Sequence, residues 1–450
     1  MAVSTITRRK FLANTALVTT AAVAAPYVRR AHAAAGKLSL GIWDHWVPGA
    51  NDNMTKLCQE WGERNKVEIQ IDYLTSVGEK DVITATAEAQ AGAGHDIMTH
   101  RSWQVAVHRH VLEPVDDVMA ALEKEAGPVT EIANYLARHD GHWYGIPTST
   151  GSQVKPCCSR LDLYKQHAGI DLQKIFPASG ERDKSLTDSW NWDAYLSSAE
   201  KLMKAGTPVG NPLGQTPDAI DWIGALFRSY GVVAIDEKDN IKINSDATRQ
   251  ALDYMKKLAP QMPAEVYAWD DAGNNRWLVS GKGAGILNPP SAWAVARRDA
   301  PKVAENCWTH DIPRGPAGRF VGNLPIFFGV WQFSKNKEAA KQLILFLSKK
   351  DQARKFVEAS FGYDLPSFKT YYDFDTWKTV GPPVGTVYNY PPRDDEQVSI
   401  AGYPARPDVA AQVYNSAMMV TMVSKVTQGG ESIDGAIKWA ENELEGYLRT

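Results

Sequence analysis

Apolar and polar residues near the start of the chain alternate with two different periods. In residues 38–42 and 67–71 every second side chain is apolar, which is typical of a strand with one buried face. Between them an amphipathic helix is predicted by apolar residues at spacings of three and four, namely Met54, Leu57, Cys58 and Trp61. Asn51 or Asn53 would cap this helix.

The pattern then continues in the same order. Residues 80–91 are Ala-rich and helical, and a third strand begins at Ile97. Strand, helix, strand, helix, strand implies right-handed crossovers, so we predict an α/β sheet with helices on both faces. Further helices are predicted at residues 192–205, 248–258, 338–347 and 433–444.

Three long stretches rich in Pro, Gly and Asn separate these elements, at residues 206–217, 311–325 and 381–407. They are too long and too rich in aromatic residues to be simple linkers. Loops of this length are usually functional.

Composition places the chain among ordinary soluble proteins. With 450 residues it exceeds the size of one hydrophobic core, which predicts at least two lobes. Apolar residues make up 44% and charged residues 22%, which excludes disordered, collagen-like and integral membrane proteins. The net charge of −3 includes five basic groups in the first 33 residues, so the body is acidic and a poor partner for nucleic acid or anionic membranes. Fifteen Trp indicate flat aromatic surfaces for a ligand.

Residues 1–33 have the features of an export signal. A basic start containing Arg8 and Arg9 precedes a short apolar stretch and the small-residue cleavage site around Ala33. The paired arginines followed by Phe-Leu are similar to a twin-arginine signal, although an ordinary Sec signal has the same general form. We therefore expect a soluble periplasmic protein that begins near Ala34.

The four cysteines, Cys58, Cys157, Cys158 and Cys307, have no spacing typical of zinc ligands. Cys157 and Cys158 are neighbours in a strand-like stretch, so their side chains should point to opposite faces. Either a bridge from one of them to Cys307 or buried free thiols are compatible with export.

Four segments in a fixed order carry a resemblance to a known family. They are AGAGHDIM (residues 91–98), DGHWYGIPTSTG (140–151), GKGAGI through Trp293 (281–293) and SKNKEAA (334–340). They resemble the family 1 extracellular solute-binding proteins, the periplasmic components of ABC importers for sugars and related solutes. His95 stands where that family usually has Pro.

The resemblance implies a periplasmic binding protein fold, in which two α/β lobes of discontinuous chain are joined by hinge strands. The expected lobes are residues 34–150 plus 326–365 and residues 151–325 plus 366–450, with hinges at 147–156, 321–329 and 362–368. A solute would lie between the lobes, at the carboxyl ends of the strands, and hinge closure would enclose it. The closed form would then dock on a membrane permease.

The first lobe is expected to supply two ligand-binding loops. They contain Asp44, His45 and Trp46 after the first strand, and His100, Arg101, Ser102 and Trp103 after the third. A Trp beside an Arg suits a polyhydroxylated ligand, because the indole covers the C–H face while the guanidinium donates to oxygens. The alternative for Trp46 and Trp103 is packing in the core.

The hinges and the second lobe should complete the site. The resemblance implies Thr150, Ser152, Asn323, Asp218, Trp222, Trp293, Tyr403 and Arg406. Of these, Trp293 aligns with a family Trp that stacks on sugar rings. A second Arg in the cleft would favour an anionic or glycerol-phosphate-like solute by bidentate pairing.

The rival class is an exported hydrolase, and the motifs do not favour it. Residues 147–151 resemble a G-x-S-x-G turn but begin with Pro, and there is no H-E-x-x-H segment. The adjacent pairs Asp116-Asp117, Asp270-Asp271 and Asp394-Asp395 are more typical of caps and turns than of facing catalytic carboxylates. We therefore expect a monomeric binding protein without catalytic residues, metal or cofactor, whose partner is a permease or, by the same fold, a sensor.

Overall fold

The computed structural model describes residues 36–449, so the predicted export signal lies outside the described residues. The strands are β1 (Lys37–Trp43), β2 (Glu68–Leu74), β3 (Ile97–Arg101), β4 (Arg138–His139), β5 (His142–Trp143), β6 (Ile146–Pro147), β7 (Gln153–Val154), β8 (Cys157–Arg160), β9 (Gly285–Leu287), β10 (Cys307–His310), β11 (Arg319–Leu324), β12 (Ile326–Val330) and β13 (Glu396–Ser399).

The helices are α1 (Ala50–Asn65), α2 (Lys80–Ala91), α3 (Gln104–His108), α4 (Asp116–Ala126), α5 (Glu131–Ala137), α6 (Leu161–Leu163), α7 (Leu172–Ile175), α8 (Lys184–Ser189), α9 (Trp192–Lys204), α10 (Pro217–Ser229), α11 (Asp246–Leu258), α12 (Gly273–Val279), α13 (Ser291–Asp299), α14 (Pro301–Ala304), α15 (Lys337–Leu347), α16 (Lys350–Ala359), α17 (Thr376–Thr379), α18 (Pro407–Asn415), α19 (Met418–Thr427) and α20 (Ile433–Tyr447).

The first sheet has five strands in the order β2-β1-β3-β12-β6. β1 runs parallel to β2 and β3, so the loops that leave β1 and β3 emerge at the same edge. β12 joins antiparallel to β3, although about 225 residues separate the two strands in sequence. Leu38, Leu40 and Ile42 of β1 are buried, which anchors the central strand in the core.

A second group of strands forms two three-stranded sheets, β10-β8-β9 and β13-β11-β7. Helix α10 packs on β11, and Gly322 permits the approach because a Cβ there would lie 2.5 Å from the Asp221 carbonyl oxygen. The Thr216 hydroxyl caps α10 by accepting a hydrogen bond from the Ala219 N–H at 3.3 Å, and Pro217 occupies the first turn. These features fix Asp218 at the start of the helix, where it faces the first sheet's loops.

The predicted strands and helices are confirmed with shifts of a few residues at their ends. One detail is wrong. Gly49, in a left-handed conformation, precedes α1, while Asn51 and Asn53 lie inside the helix and do not cap it. The long stretches 311–325 and 381–407 contain β11 and β13.

All four cysteines are buried free thiols. Of the two alternatives left open by the sequence, a bridge to Cys307 or buried free thiols, the structure has the free thiols. Burial raises the pKa of the Cys58 thiol to about 12 and that of Cys157 well above its ordinary value. These thiols are therefore core residues.

Candidate functional site

A cleft lies where the loops of the first sheet face the second group of strands. Its open space, counted together with the solvent at its mouth, is about 390 Å³. We call it the cleft site and define it by its lining residues, which are Trp43, Trp46, Ser76, Arg101, Gln153, Lys155, Pro217, Asp218, Asp271, Asn275, Asn288, Pro289, Ser291, Leu324, Ile326 and Tyr363. The three chain segments that cross between the sheets contribute Gln153, Leu324 and Tyr363 to it, so the site is built at their junction.

The loop after β1 supplies two indoles, and a buried His–Asp pair holds that loop in place. The Nδ1 of His45 accepts a hydrogen bond from the Val47 N–H at 2.9 Å, which leaves Nε2 to donate to Asp364 at 2.9 Å. The same Asp364 oxygen accepts from the Gly151 N–H at 2.7 Å. Since His45 and Asp364 are both buried, they fix the loop against the crossing segment.

Gly151 is required where this crossing segment meets the indole of Trp43. Its φ is +79°, and a Cβ there would lie 2.6 Å from both Trp43 and Ile326 side-chain atoms. Only glycine permits this approach. Trp43 is buried, whereas Trp46 is half-buried.

Arg101, at the end of β3, contributes positive charge that is already paired. Its Nε lies 2.6 Å from Asp81, and its Nη2 donates to Glu79 at 2.9 Å. Only 8% of the side chain is exposed. The guanidinium therefore lines the cleft while two carboxylates hold it.

Lys155 on the opposite wall is paired in the same way. Its ammonium donates to Asp218 and lies 3.9 Å from Asp221, and its side chain is 1% exposed. Asp218 also accepts from Asn274 at 2.8 Å, and Asp221 accepts from the Tyr414 hydroxyl at 3.0 Å. Burial raises the pKa of Asp221 to about 8, so this carboxyl is largely protonated at neutral pH.

Asp271 and two asparagines complete the second wall. Burial and the neighbouring Asp218 carboxylate raise the pKa of Asp271 to about 7, against the opposing effect of Arg101 and Lys155. Asn288 donates to Asn275 at 2.8 Å, and Asn275 donates to Ser291 at 3.1 Å. These groups present carbonyl, carboxyl and hydroxyl oxygens to the cleft.

Two further cavities lie next to the cleft site. One, of about 630 Å³ with the solvent at its mouth, shares Arg101, Pro217 and Leu324 with it, and the other, of about 420 Å³, shares Ser76, Pro217 and Asp271. The cleft site is therefore flanked by further space on the same face of these residues.

The structure brings five of the residues predicted from the sequence to these cavities. Trp46, Arg101 and Asp218 line the cleft site, while Ser102 and Trp103 line the larger of the two neighbouring cavities. Trp103 is 1% exposed and packs edge-on against Tyr135.

The other predicted residues of the first sheet and the hinge do not line the cleft site. His45 is buried against Asp364, and Asp44 is exposed and accepts from Asn51 at 2.7 Å. Burial lowers the pKa of His100 well below its ordinary value, and its ring packs between His108 and Trp331. Three hinge residues hydrogen-bond within the crossing segments instead of facing the cleft. The Thr150 N–H donates to the Thr148 hydroxyl. The Ser152 hydroxyl accepts from the Ile326 N–H, and the Asn323 side chain donates to the Gln153 carbonyl.

The remaining predicted residues of the second lobe lie away from the cleft walls. Trp222 and Trp293 are fully buried and donate to the carbonyls of Pro212 and Pro382 at 2.9 and 2.8 Å. Tyr403 lines a separate cavity, where its hydroxyl donates to Glu131. Arg406 is paired with Asp239 at 3.2 Å.

Sequence reasoning missed several lining residues, above all Lys155, Asp271, Asn288 and Tyr363. The lysine within the predicted hinge at 147–156 was one available signal, because a lysine that becomes buried there needs a charged or polar partner. Asp271 was predicted to belong to a turn, and its position in the cleft depends on contacts distant in sequence.

Other kinds of site find less support within residues 36–449. No group of three or more His, Cys, Asp or Glu there is arranged to hold a metal ion. Over the same range, none of the helices combines the length and the apolar character needed to cross a bilayer.

Comparison with known proteins found a matching family model and similar solved structures. The family model for bacterial extracellular solute-binding proteins matches residues 56–381. No curated protein matches the sequence.

Among solved structures, the chain is similar to the maltose-bound MalE3 of T. maritima, with 19% identity and a TM-score of 0.71 over 91% of this chain and 99% of that chain. It is also similar to the GacH receptor of Streptomyces glaucescens, solved unliganded and with acarbose, with 18% identity and a TM-score of 0.67 over 92% and 99% of the two chains. A sugar transporter from Arthrobacter chlorophenolicus with bound laminaribiose has 12% identity and a TM-score of 0.69 over 91% and 99%. These likenesses confirm the predicted periplasmic binding protein fold.

Proposed function

Because the chain belongs to the bacterial extracellular solute-binding proteins, we propose that it captures a mono- or oligosaccharide and delivers it to the permease of an ABC importer. The resemblance found in the four sequence segments is thereby confirmed at the level of the family. The solute, the partner and the mode of capture are our proposals.

One observation carries the proposal, namely the composition of the cleft site. The indoles of Trp43 and Trp46 lie on one wall, and the oxygens of Asp218, Asp271 and Asn288 lie on the other. An indole face covers the C–H face of a sugar ring, while carboxylate and amide oxygens accept hydrogen bonds from its hydroxyls. The solved relatives named above carry maltose, acarbose and laminaribiose, which supports a saccharide.

The charge of the cleft argues against the alternative, a glycerol-phosphate-like or other anionic solute. Among the described residues, Arg101 and Lys155 supply the positive side-chain charges of Lys and Arg in the three cavities. Carboxylates already pair with both of them. An anion would have to displace these carboxylates or lie against them. The comparisons likewise give this alternative no support.

Capture would proceed by hinge closure between the two lobes predicted from the sequence. Supporting this, the chain crosses from the first sheet to the second group between β6 and β7 and returns between β11 and β12. A third crossing lies near residue 365, where the Leu365 N–H donates to the Ser152 carbonyl at 2.9 Å. Three adjacent crossings form a hinge on which two rigid bodies rotate.

We further propose a periplasmic location, export through the twin-arginine pathway, a monomeric state and release of the solute unchanged. Export is supported by the sequence of residues 8–12, and the family is described as extracellular. Replacing Arg8 and Arg9 with lysine should leave the unprocessed protein in the cytoplasm, whereas export that continues at the normal rate would indicate a Sec signal.

The experiment that tests the proposal is a titration of the purified protein with mono- and oligosaccharides and with glycerol phosphates. Binding of a saccharide should raise the melting temperature by linkage and change the Trp emission, and chromatography should recover the sugar intact. Binding of the phosphates alone would contradict the saccharide proposal. Turnover of a saccharide would show an enzyme.

A further inference from the structure

The cleft site presents hydrogen-bond acceptors that the protein does not satisfy. Asn288 is 2% exposed and uses its Nδ2 to donate to Asn275, which leaves its Oδ1 buried with no partner among the described residues. Asp271 Oδ1 is likewise buried with no hydrogen-bond partner among the described residues. A buried acceptor without a donor costs free energy, so both atoms indicate the place of a donor supplied by a ligand.

Negative charge is also in excess around these atoms. Apart from Asp221, whose protonated form burial favours, four carboxyl groups (Glu79, Asp81, Asp218 and Asp271) surround two cations (Arg101 and Lys155). Arg101 is held by Glu79 and Asp81, and Lys155 is held by Asp218, so neither is available to Asp271.

The effect of this imbalance is visible at Asp271 itself. Its raised pKa, to about 7, shows that burial and the Asp218 carboxylate disfavour its ionised form despite the nearby Arg101 and Lys155. A positive charge within a few ångströms would favour the ionised form and satisfy the unpartnered oxygen in one contact. The indoles on the facing wall tolerate a cation as well, through their ring faces.

We propose that the solute is an amino sugar or aminocyclitol whose protonated amine lies against Asp271 and Asn288. This rests on the proposed function, since the hydroxyls of the same solute would use Asn275, Ser291 and Asp218. A metal ion is a poorer occupant, because no group of three or more His, Cys, Asp or Glu in the described chain is arranged to hold one.

The test is calorimetric titration with matched compounds that differ in one group. The first series is glucose with its 2-, 3- and 6-amino-deoxy derivatives and N-acetylglucosamine, and the second is cellobiose, chitosan disaccharide and N,N′-diacetylchitobiose. At least one amine should bind ten times more tightly than both its neutral parent and its N-acetylated form. Its binding should also release protons at pH 7, measured in buffers of different ionisation enthalpy, because the amine drives Asp271 to its ionised form.

Two variants connect the preference to the site. Asp271→Asn should reduce the ratio of amine to parent affinity to about one and abolish the proton release. Asp253→Asn is the matched control, because Asp253 is exposed, is paired with Lys257 at 2.6 Å and lines none of the three cavities, and it should keep both the ratio and the release.

The outcomes separate this inference from the proposed function. Neutral sugars that bind as tightly as every amine, or an amine preference that survives Asp271→Asn, would overturn the inference and leave saccharide capture intact. If a linear diamine such as putrescine binds more tightly than any sugar, the inference that the solute is polyhydroxylated would be overturned. No binding by either series, with no other saccharide effective, would overturn both.

Discussion

Two clusters of charged side chains lie close to the first sheet, and they differ in how fully their hydrogen bonds are satisfied. In the His95 cluster (Glu88, His95, Asp72 and Trp331), the His95 ring contacts Glu88 at 2.6 Å and Asp72 at 3.1 Å. The Trp331 indole and the His95 N–H both donate to the second Glu88 oxygen, at 3.0 and 3.1 Å. In the cleft site, by contrast, Asp271 and Asn288 keep unpartnered oxygens.

Sequence explains how the His95 cluster becomes so complete. Gly94 has a φ of +156°, and a Cβ there would lie 2.2 Å from the Glu88 carboxyl carbon, so the glycine makes room for the carboxylate. The histidine supplies a backbone N–H that the proline usual in the family would lack. A fully satisfied buried network stabilises one structure, whereas an incomplete one costs stability and keeps a place for a partner. The comparison therefore assigns structure to the first cluster and binding to the second.

The largest expected effect is loss of the His95 cluster. His95→Leu leaves the fully buried Glu88 without its cationic partner and should lower the free energy of unfolding by about 3–5 kcal/mol, as measured by chemical denaturation. The matched control is His142→Leu, because His142 pairs with Asp116 at 2.9 Å, a distance between those of the two His95 contacts, but on the surface. That variant should lose less than about 1 kcal/mol. Equal losses in the two variants would contradict a structural role for the first cluster.

The same histidine gives a pH dependence of defined sign. Burial alone would lower the pKa of His95, but the Glu88 and Asp72 carboxylates outweigh burial and raise it above 6.5. The folded state thus holds a proton that the unfolded state releases, so this stabilisation is complete below pH 6.5 and is lost as the pH rises through the folded pKa. The difference in unfolding free energy between the wild type and His95→Gln should shrink over that window. A constant difference would show that His95 does not titrate with a raised pKa.

Asp271 should behave in the opposite way when it is replaced. Its pKa is near 3.8 when unfolded and about 7 when folded, so its ionisation costs stability as the pH rises from about 4 to 7. Asp271→Asn removes this cost and should stabilise the ligand-free protein at pH 8 by roughly 1–3 kcal/mol, with little change at pH 4. The thermal unfolding curve measures it. Destabilisation at pH 8 would show that Asp271, like Glu88, has a structural partner.

A smaller effect separates the half-buried indole of Trp46 from the fully buried indoles. Trp46→Ala should weaken saccharide binding about tenfold, close to 1.4 kcal/mol, and change the melting temperature little, because Trp46 is half-buried in the cleft. Trp293→Ala is the contrast, since this fully buried residue should cost stability first. A Trp46 variant with unchanged affinity would remove the loop after β1 from the binding site.

The smallest effect is expected at the cysteines. All four are buried free thiols, so a reducing agent should leave the melting temperature unchanged and a thiol reagent should label the protein only after unfolding. A lower melting temperature in reductant would indicate a disulfide.

The sequence predicted the strands and helices well where their periodicity is local, as in β1 and α1. It did not predict β13, because the Pro- and Gly-rich surroundings of this strand indicate loops and its pairing with β11 joins distant segments. Within the site, Trp46 and Arg101 lie at or after strand ends and Asp218 lies at the start of a helix. The local sequence pattern was therefore enough to predict their positions. Asp271 reaches the cleft only through packing of the second group of strands.

The central claim is that a saccharide binds against the indoles of the loop after β1. Its most direct test is the ligand-induced change in Trp emission in the Trp43→Phe/Trp46→Phe variant, at a sugar concentration that calorimetry shows to be saturating. The account predicts that the change seen in the wild type is abolished although thirteen other tryptophans remain. An emission change of undiminished size in the folded, saturated variant would contradict it.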